Sequence, residues 1–526
     1  MTRDSSPAVP LTPFRPIVSL FLTPVDSDLR AFLEEVHALI QGCPALVEAV
    51  EQDLDAHALR KKAVRAADAQ WLEAQTLRLS GMPAAAPEPD HSSVLLQGRP
   101  RTPGYVVLVA LLLRGYFGAG FKSCEGATMM QESITLRVFF GNLGMSLPGA
   151  GTLTELVNAV SNEARLRILD AQVAQVLRLG WDDFTVMLQD STHVEGSTAW
   201  PTDSRLLVAL SSRLVRVGAA LPRLGLPAID LPLVRRHLGV MTKLDREIDM
   251  AHGKSGQRRA RQRRYRKLLG SARRVHRMFD EAVGHIESVL LALDVLPSRK
   301  AMAGRAVGRL RADVEALAQV IATCTARVID DKKVPMAEKK LSISDPDAGF
   351  IAKGQREPVI GYKPQLARSG AGFVVGLLLP KGNAADSGQL VPMVDEVTAR
   401  TGVTPKTVSV DDGYASQANM DALEQRGIEV ISINGAKGRA LTARADWNSD
   451  EYALARDQRS AVESLMFTLK QGFDFGVVAR RGLVAANADL LEKALAYNTC
   501  HMPRVRARLA AYSAADPDEQ FYQQAS

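Results

Sequence analysis

The sequence predicts an α/β protein in which a mixed β-sheet core is interrupted by a large all-helical insertion and preceded by helical regions. Three observations predict this class. Short apolar segments alternate with helical ones after residue 341. Helical periodicity dominates residues 203–340. Only 5% of the residues are aromatic, whereas Ala, Leu, Val and Arg are abundant. The 526 residues are enough for two to four domains.

The N-terminal part of the chain is predicted to be helical. Apolar residues at helical spacing predict one helix over 26–51 and another over about 57–79, so residues 1–80 form an N-terminal helical region. Five prolines make residues 81–104 a linker or an irregular arm. Residues 105–180 show short helices separated by Gly and Pro, which is typical of a compact helical domain.

The sheet is predicted from apolar segments on both sides of the insertion. A strand over 184–190 is expected to lie beside a hairpin over 359–379 and a strand over 406–411. This arrangement gives three antiparallel strands extended by parallel ones. The remaining predicted elements are helices over 388–401, 417–426 and 457–471 and a strand over 428–433. The core therefore comprises residues 181–202 and 341–500, the insertion comprises 203–340, and 501–526 form a C-terminal tail.

Two features mark the helical insertion. An apolar stripe repeats at intervals of four and three residues, as helix packing requires, and comprises Leu310, Val314, Leu317, Ile321, Cys324 and Val328. A basic run, residues 254–277, holds 11 Lys or Arg and no acid. It is either a solvated helix face or, as we prefer, a contact to the phosphate backbone of DNA, which would carry no sequence information. The residues predicted to make this contact are Arg258, Arg259, Arg261, Arg263, Arg264, Arg266 and Lys267.

Three acids stand out in the core. Asp190 and Asp411 end apolar strands, and Glu463 lies on a predicted helix four residues after Arg459. Two strand-end acids and one helix acid can hold a pair of Mg²⁺ ions, because hard divalent cations prefer oxygen ligands. Paired metal ions are the usual means of in-line attack on a phosphodiester.

The motifs around these acids resemble a known family, the DDE transposases of bacterial insertion sequences, and are closest to the ISNCY-type branch. The similar segments are Asp190–Glu195, Trp200–Leu207, Asp411–Ser416, the spacing of Arg459, Glu463 and Lys470, and the helical stretch Gln131–Pro148. The resemblance covers roughly residues 105–500. It implies a ribonuclease-H-like core, with the first acid on the first strand, the second at the end of the fourth strand and the third on the last helix.

The resemblance also implies roles for individual residues. Asp190, Asp411 and Glu463 would be the catalytic, metal-binding triad, with two Mg²⁺ ions or Mn²⁺ in their place. Arg459 and Lys470 would contact DNA near the cut. Arg456 occupies a position where the family often has Tyr, and we also expect it to bind DNA. The partners would be double-stranded DNA, as the element's terminal inverted repeats and its target, bound by a homodimer or larger assembly. Recognition of the DNA ends is assigned to residues 105–180.

Simpler interpretations of the acids remain open. Glu463 could form only a surface ion pair with Arg459, and Asp190 could be only a strand-end cap. Asp412 competes with Asp411, which we prefer because the D-x-G-Y spacing matches the family and because Gly413 permits a tight turn.

The expected activity is two-metal DNA cleavage followed by strand transfer. The alternatives are a catalytically silent DNA-binding protein descended from a transposase, and a host nuclease of the same fold. Four dispersed cysteines predict neither a disulfide framework nor a zinc site. The N-terminus lacks a signal-peptide core, and the longest apolar run, 106–113, is too short to span a bilayer. We therefore expect a bacterial cytoplasmic, nucleoid-associated protein with a net charge of +7 and no membrane partner.

Overall fold

The fold is taken from a computed structural model, which describes residues 24–80, 101–118, 128, 130–198, 202–250, 258–335, 338–352 and 357–515. The chain divides into two compact units. The first comprises residues 1–57, 99–197 and 347–526, and the second comprises residues 58–98 and 198–346. Most of the predicted linker over 81–104, and residues 254–257 of the basic run, lie outside the described residues.

The first unit begins with helices. They are α1 (Pro24–Gly42), the start of α2 (Ala45–Leu79), α3 (Gly104–Phe117), α4 (Ile134–Asn142), α5 (Ala150–Ala159) and α6 (Asn162–Arg178). The single helix predicted over 26–51 is wrong, because the chain breaks at Gly42–Pro44. Pro44 has no backbone N–H to continue a helix, and a new helix begins directly after it.

In the part of the chain that the structure describes, nine strands form two sheets. They are β1 (Val186–Ser191), β2 (Val194–Gly196), β3 (Gly349–Ile351), β4 (Val359–Tyr362), β5 (Gln365–Ser369), β6 (Val374–Leu378), β7 (Thr407–Asp411), β8 (Val430–Asn434) and β9 (Val477–Val478). The larger sheet has the order β6-β5-β1-β7-β8. Strands β6, β5 and β1 are antiparallel, and β7 and β8 continue in parallel with β1. The predicted mixed sheet is therefore confirmed.

A second sheet, with the order β3-β4-β2-β9, was not predicted. Its strands have only two to four residues, too few to show a period of two in the sequence. The chain from 359 to 369 contributes to both sheets, because β4 ends at Tyr362 and β5 starts at Gln365. Pro364 lies between these two strands. Because proline has no backbone N–H, it could not donate an interstrand hydrogen bond within either strand.

Helices cover both faces of the larger sheet. They are α11 (Leu390–Thr401), α12 (Gln417–Gln425), α13 (Ala436–Leu441), α14 (Arg444–Trp447), α15 (Asp450–Gln458), α16 (Ser460–Gly472) and α17 (Leu483–Ala515). Residues of α6, α11, α12 and α17 share one apolar core with the sheet. On the other face, α15 contacts β7 and β8, and α16 contacts β1 and β5.

The predicted boundary of the tail at residue 501 is wrong. Helix α17 continues through this position to Ala515, and it does so because Met502 and Val505 lie buried in the core of the sheet. The last eleven residues, 516–526, lie outside the described residues.

A buried charge cluster joins α3, α6 and α17. The carboxylate of Glu492 is 1% exposed and accepts hydrogen bonds from Arg114 at 2.6 and 2.7 Å and from Nε of Arg165 at 2.8 Å. Arg480 lies 2.9 Å away. Burial by itself raises the pKa of Glu492, but the three guanidinium charges outweigh it and hold this pKa well below its usual value.

The second unit is helical. It contains the last part of α2, from residue 58 onward, and four further helices. They are α7 (Asp203–Ala220), α8 (Leu231–Met250), α9 (Arg258–Ala292) and α10 (Pro297–Cys324). The predicted stripe on α10 is confirmed as core, since its five residues from Leu310 to Cys324 are buried and Val328 packs against them. No helix in the described part of the chain is both long and apolar enough to cross a membrane.

Candidate active site

Asp190 and Asp411 lie at the carboxyl ends of two adjacent, parallel strands. The pairing of β1 with β7 aligns Leu188 with Ser409, and each acid follows two residues later. Because side chains alternate along a strand, both acids lie on the sheet face opposite the core that contains Met187 and Val410. That is the face covered by α15 and α16.

Glu463 is tied to Asp190 by Arg459. Nη1 of Arg459 lies 2.9 Å from Oε1 of Glu463, and Nη2 lies 3.7 Å from Oδ2 of Asp190. Asp190 is 4% exposed, whereas the side chain of Glu463 is 59% exposed. Arg459 stands at the junction of α15 and α16, so the helix that carries Glu463 begins after it rather than at residue 457. The predicted ion pair between Arg459 and Glu463 is present, and Arg459 also contacts Asp190 on β1.

The structure distinguishes the neighbouring acids Asp411 and Asp412. Asp412 accepts hydrogen bonds from the backbone N–H groups of Lys437 and Gly438, at 2.9 and 3.0 Å, and so anchors the start of α13. Asp411 accepts one hydrogen bond from the N–H of Gly413 and makes no ion pair among the described residues. Because Asp412 is engaged in holding α13, Asp411 is the better candidate for a functional acid.

Gly413 allows close approach of two carboxylates. Its backbone φ is not in the left-handed region, so the turn itself does not require Gly. A Cβ at this position would lie 2.9 Å from Oδ1 of Asp411 and 3.3 Å from Oδ2 of Asp386. The predicted reason for Gly413, a tight turn, is therefore replaced by another: the side chains of Asp411 and Asp386 leave no room for a Cβ at this position.

Four further side chains contact one another beside these acids, those of Lys363, Gln365, Asp386 and Tyr414. The hydroxyl of buried Tyr414 donates to Oε1 of Gln365. Asp386 accepts hydrogen bonds from Gln365 at 2.8 Å and from Lys363 at 2.8 Å. Asp386 begins a four-residue 3-10 helix before α11, and Lys363 lies between β4 and β5, so no periodicity in the sequence marks either residue. Tyr414, by contrast, belongs to the D-x-G-Y motif.

The pKa of Tyr414 reports the charge around it. Burial raises this pKa well above its usual value, and the carboxylates of Asp386, Asp190 and Asp411 raise it further. Three carboxylates therefore act electrostatically on one buried hydroxyl group.

The predicted DNA-binding residues near the site have partners of different kinds. Nζ of Lys470 donates to the backbone oxygen of His193 at 3.1 Å, which holds α16 to the segment after β1. The exposed guanidinium of Arg456 lies over the ring of Trp447, with 6.0 Å between its Cζ and the ring centroid.

The described part of the basic run, residues 258–277, lies on α9 in the second unit. Of its predicted contacts, Arg258 pairs with Asp331 at 2.6 Å and Arg264 pairs with Glu247 at 3.3 Å. The others are exposed and have no ion pair within the described residues, and they are Arg259, Arg261, Arg263, Arg266 and Lys267. Residues 198–346 contain 29 basic and 15 acidic residues, although the whole chain has a net charge of only +7.

The site residues suit a hard divalent cation chemically. Within the described ranges, no group of three or more His, Cys, Asp and Glu side chains is placed to hold a metal ion. Glu463 binds Arg459 instead. The donors are nevertheless all carboxylates, and Asp411 has no cationic partner among the described side chains, so negative charge is incompletely neutralised where the strands end. The metal-binding triad stays a prediction.

One comparison with known proteins gives a match. Residues 324–499 match the family described as "Transposase DDE domain". The matched segment includes Asp411, Arg459, Glu463 and Lys470, whereas Asp190 precedes it. The match supports a transposase of the DDE type. No curated protein and no solved structure matches the chain significantly.

Proposed function

We propose that this protein is a DNA transposase that cleaves and transfers DNA strands with the help of divalent metal ions. One observation carries the proposal. Asp190 and Asp411 end adjacent parallel strands, and Arg459 ties Glu463 to the same face. The family match covers the last two of these three acids.

Asp190, Asp411 and Glu463 would hold the Mg²⁺ ions. Bound at these carboxylates, two divalent ions would activate water and stabilise the attacking and leaving oxygens of the phosphodiester. Arg459 screens the repulsion between Asp190 and Glu463 while no ion is bound, because its guanidinium lies within 4 Å of both. Lys470 fixes α16 against the chain that follows β1.

The second unit would supply DNA affinity. Its excess of basic residues is concentrated on α9, where most of the predicted contacts are exposed and unpaired among the described residues. Such a surface attracts the phosphate backbone through counterion release and does not read the sequence. We propose that residues 105–180 bind the DNA ends of the element, and that two or more protomers bring these ends together. We also propose that the chain belongs to the ISNCY-type branch.

The proposal is tested by nicking of a supercoiled plasmid that carries the gene with its flanking DNA. The protein is incubated with Mg²⁺, Mn²⁺ or EDTA, and Glu463→Gln is compared with Glu451→Gln. Both glutamates are exposed, so neither change removes core packing. We expect metal-dependent nicking that Glu463→Gln abolishes and Glu451→Gln retains. DNA binding without nicking under any condition would instead identify a silent DNA-binding protein.

A further inference from the structure

Two arginines near the candidate active site lie over one tryptophan ring. Cζ of Arg439 is 5.9 Å from the centroid of the Trp447 ring, and Cζ of Arg456 is 6.0 Å from it. We call Arg439, Trp447 and Arg456 the arginine–tryptophan cluster. Guanidinium groups at this distance are attracted by the ring quadrupole, which limits their motion without neutralising their charge.

The cluster is braced against the sheet. The ring of Trp447 lies 4.9 Å from that of Tyr452, which is 2% exposed. The hydroxyl of Tyr452 donates to the backbone oxygen of Ile433 and accepts from its N–H, both at 3.1 Å. Strand β8 therefore fixes Tyr452, and Tyr452 supports the tryptophan ring.

The same strand places the cluster beside the predicted catalytic acids. Asn434, the last residue of β8, is paired with Asp411 of β7. The side-chain amide of Asn434 donates to the backbone oxygen of Arg456 at 3.3 Å. Arg456 is also three residues before Arg459, which contacts Asp190 and Glu463.

Neither arginine of the cluster is neutralised. Both are exposed, and among the described residues neither side chain makes an ion pair or a hydrogen bond. The segment 435–459 contains acidic residues that could have served, namely Asp446, Asp450, Glu451 and Asp457. A pair of oriented, unpaired guanidinium groups suits an anionic oxygen ligand, because arginine binds phosphate through two parallel N–H groups.

We propose that the arginine–tryptophan cluster binds backbone phosphate of the DNA strand beside the cleavage site. This inference rests on the proposed function, and it adds Arg439 and Trp447 to the residues that hold the substrate. Arg439 and Arg456 would contact the phosphate, and Trp447 would orient both guanidinium groups. Because the contact is made to phosphate, it positions the DNA and does not select a sequence.

The test measures binding of a fluorescein-labelled DNA duplex by the full-length protein in EDTA, over a series of salt concentrations. Arg439→Ala and Arg456→Ala are each expected to weaken binding several-fold and to lower the salt slope of log K by about one. Trp447→Leu is expected to weaken binding although it removes no charge. Arg444→Ala is the matched control, since this exposed arginine of the same segment is not among those over the ring.

Thermal melting of each variant separates binding from folding. The two arginine variants are expected to melt with the wild type, because their side chains are exposed. Unchanged affinity and salt slope in both arginine variants would overturn the inference, as would an equal loss in Arg444→Ala. If the wild type nicks DNA with metal while these variants bind normally, only the inference fails. If the wild type neither binds nor nicks DNA, the proposed function fails with it.

Discussion

Asp411 and Asp412 are adjacent in the chain, yet only Asp412 binds the backbone of the helix that follows β8. Its carboxylate accepts from Lys437 and Gly438, whereas that of Asp411 accepts, within the described ranges, only from Gly413 in its own turn. The carboxylate of Asp412 therefore stabilises the start of α13, whereas that of Asp411 has no ion pair among the described residues. This difference gives a matched pair of substitutions.

Asp411→Asn is expected to lower metal-dependent plasmid nicking by about 100-fold or more, because a lost metal ligand removes several kcal/mol of transition-state stabilisation. Asp412→Asn keeps an oxygen that can accept from Lys437 and Gly438, so nicking should stay close to the wild-type rate. The measurement is the initial rate of open-circle formation. Equal losses in the two variants would argue against a special role for Asp411.

Gly413→Ala is expected to reduce nicking while the protein stays folded. The added Cβ would lie 2.9 Å from Oδ1 of Asp411, so that carboxylate must move, and a displacement of about 1 Å can cost about 100-fold in rate. Gly388→Ala is the control, because no atom lies within 4 Å of its Cβ position. Circular dichroism checks folding. Full activity in Gly413→Ala would show that the exact position of Asp411 does not matter.

Arg459→Gln is expected to lower the Mn²⁺ concentration that gives half-maximal nicking. The guanidinium lies within 4 Å of both Asp190 and Glu463, so removing its charge leaves these carboxylates more attractive to a cation. The maximal rate should fall, because the resemblance also gives Arg459 a contact to DNA. Arg444→Gln, on the exposed start of α14, should change neither quantity. An unchanged Mn²⁺ concentration for half-maximal nicking would show that the charge of Arg459 does not affect metal binding at these carboxylates.

Glu492→Gln is expected to destabilise the protein by about 3–5 kcal/mol, because it leaves three guanidinium groups around a neutral side chain. Urea unfolding measures the loss. Glu163→Gln, which removes an exposed ion pair with Arg167, should cost less than about 0.5 kcal/mol. A similar cost for the two changes would contradict a structural role for the buried cluster.

The same carboxylate makes stability depend on pH. The pKa of Glu492 is lower in the folded protein than the ordinary value of 4.5, so its contribution is fully present above about pH 4.5 and decreases as the pH falls toward the folded-state pKa. Between about pH 5 and pH 3, the wild type should therefore lose more stability than Glu492→Gln. Parallel curves for the two proteins would contradict the lowered pKa.

The sequence predicted most of the larger sheet, because its strands are apolar, bounded by turns and separated by amphipathic helices. It also predicted the apolar stripe of α10, where five buried residues from Leu310 to Cys324 repeat at helical spacing. The smaller sheet escaped prediction because β2 and β9 have three and two residues. The extension of α17 was not predicted, because the family resemblance ends at about residue 500. Pro503, which is unfavourable inside a helix, lies within this extension between the buried Met502 and Val505.

The candidate site was predictable only where a motif marks it. Asp190, Asp411 and Glu463 follow from strand ends and from the family resemblance. Asp386 and Lys363 lie in connections whose positions depend on tertiary packing, so no local pattern shows their proximity to Tyr414. The separate tasks of Asp411 and Asp412 likewise depend on where α13 begins, which is decided by the fold.

The most direct test of the central claim is Mn²⁺ binding to the DNA-bound protein, measured by electron paramagnetic resonance. If Asp190 and Asp411 share one metal site, Asp190→Asn and Asp411→Asn should each weaken Mn²⁺ binding by about tenfold or more, while Asp412→Asn binds as the wild type does. Wild-type Mn²⁺ affinity in both Asp190→Asn and Asp411→Asn would contradict the account.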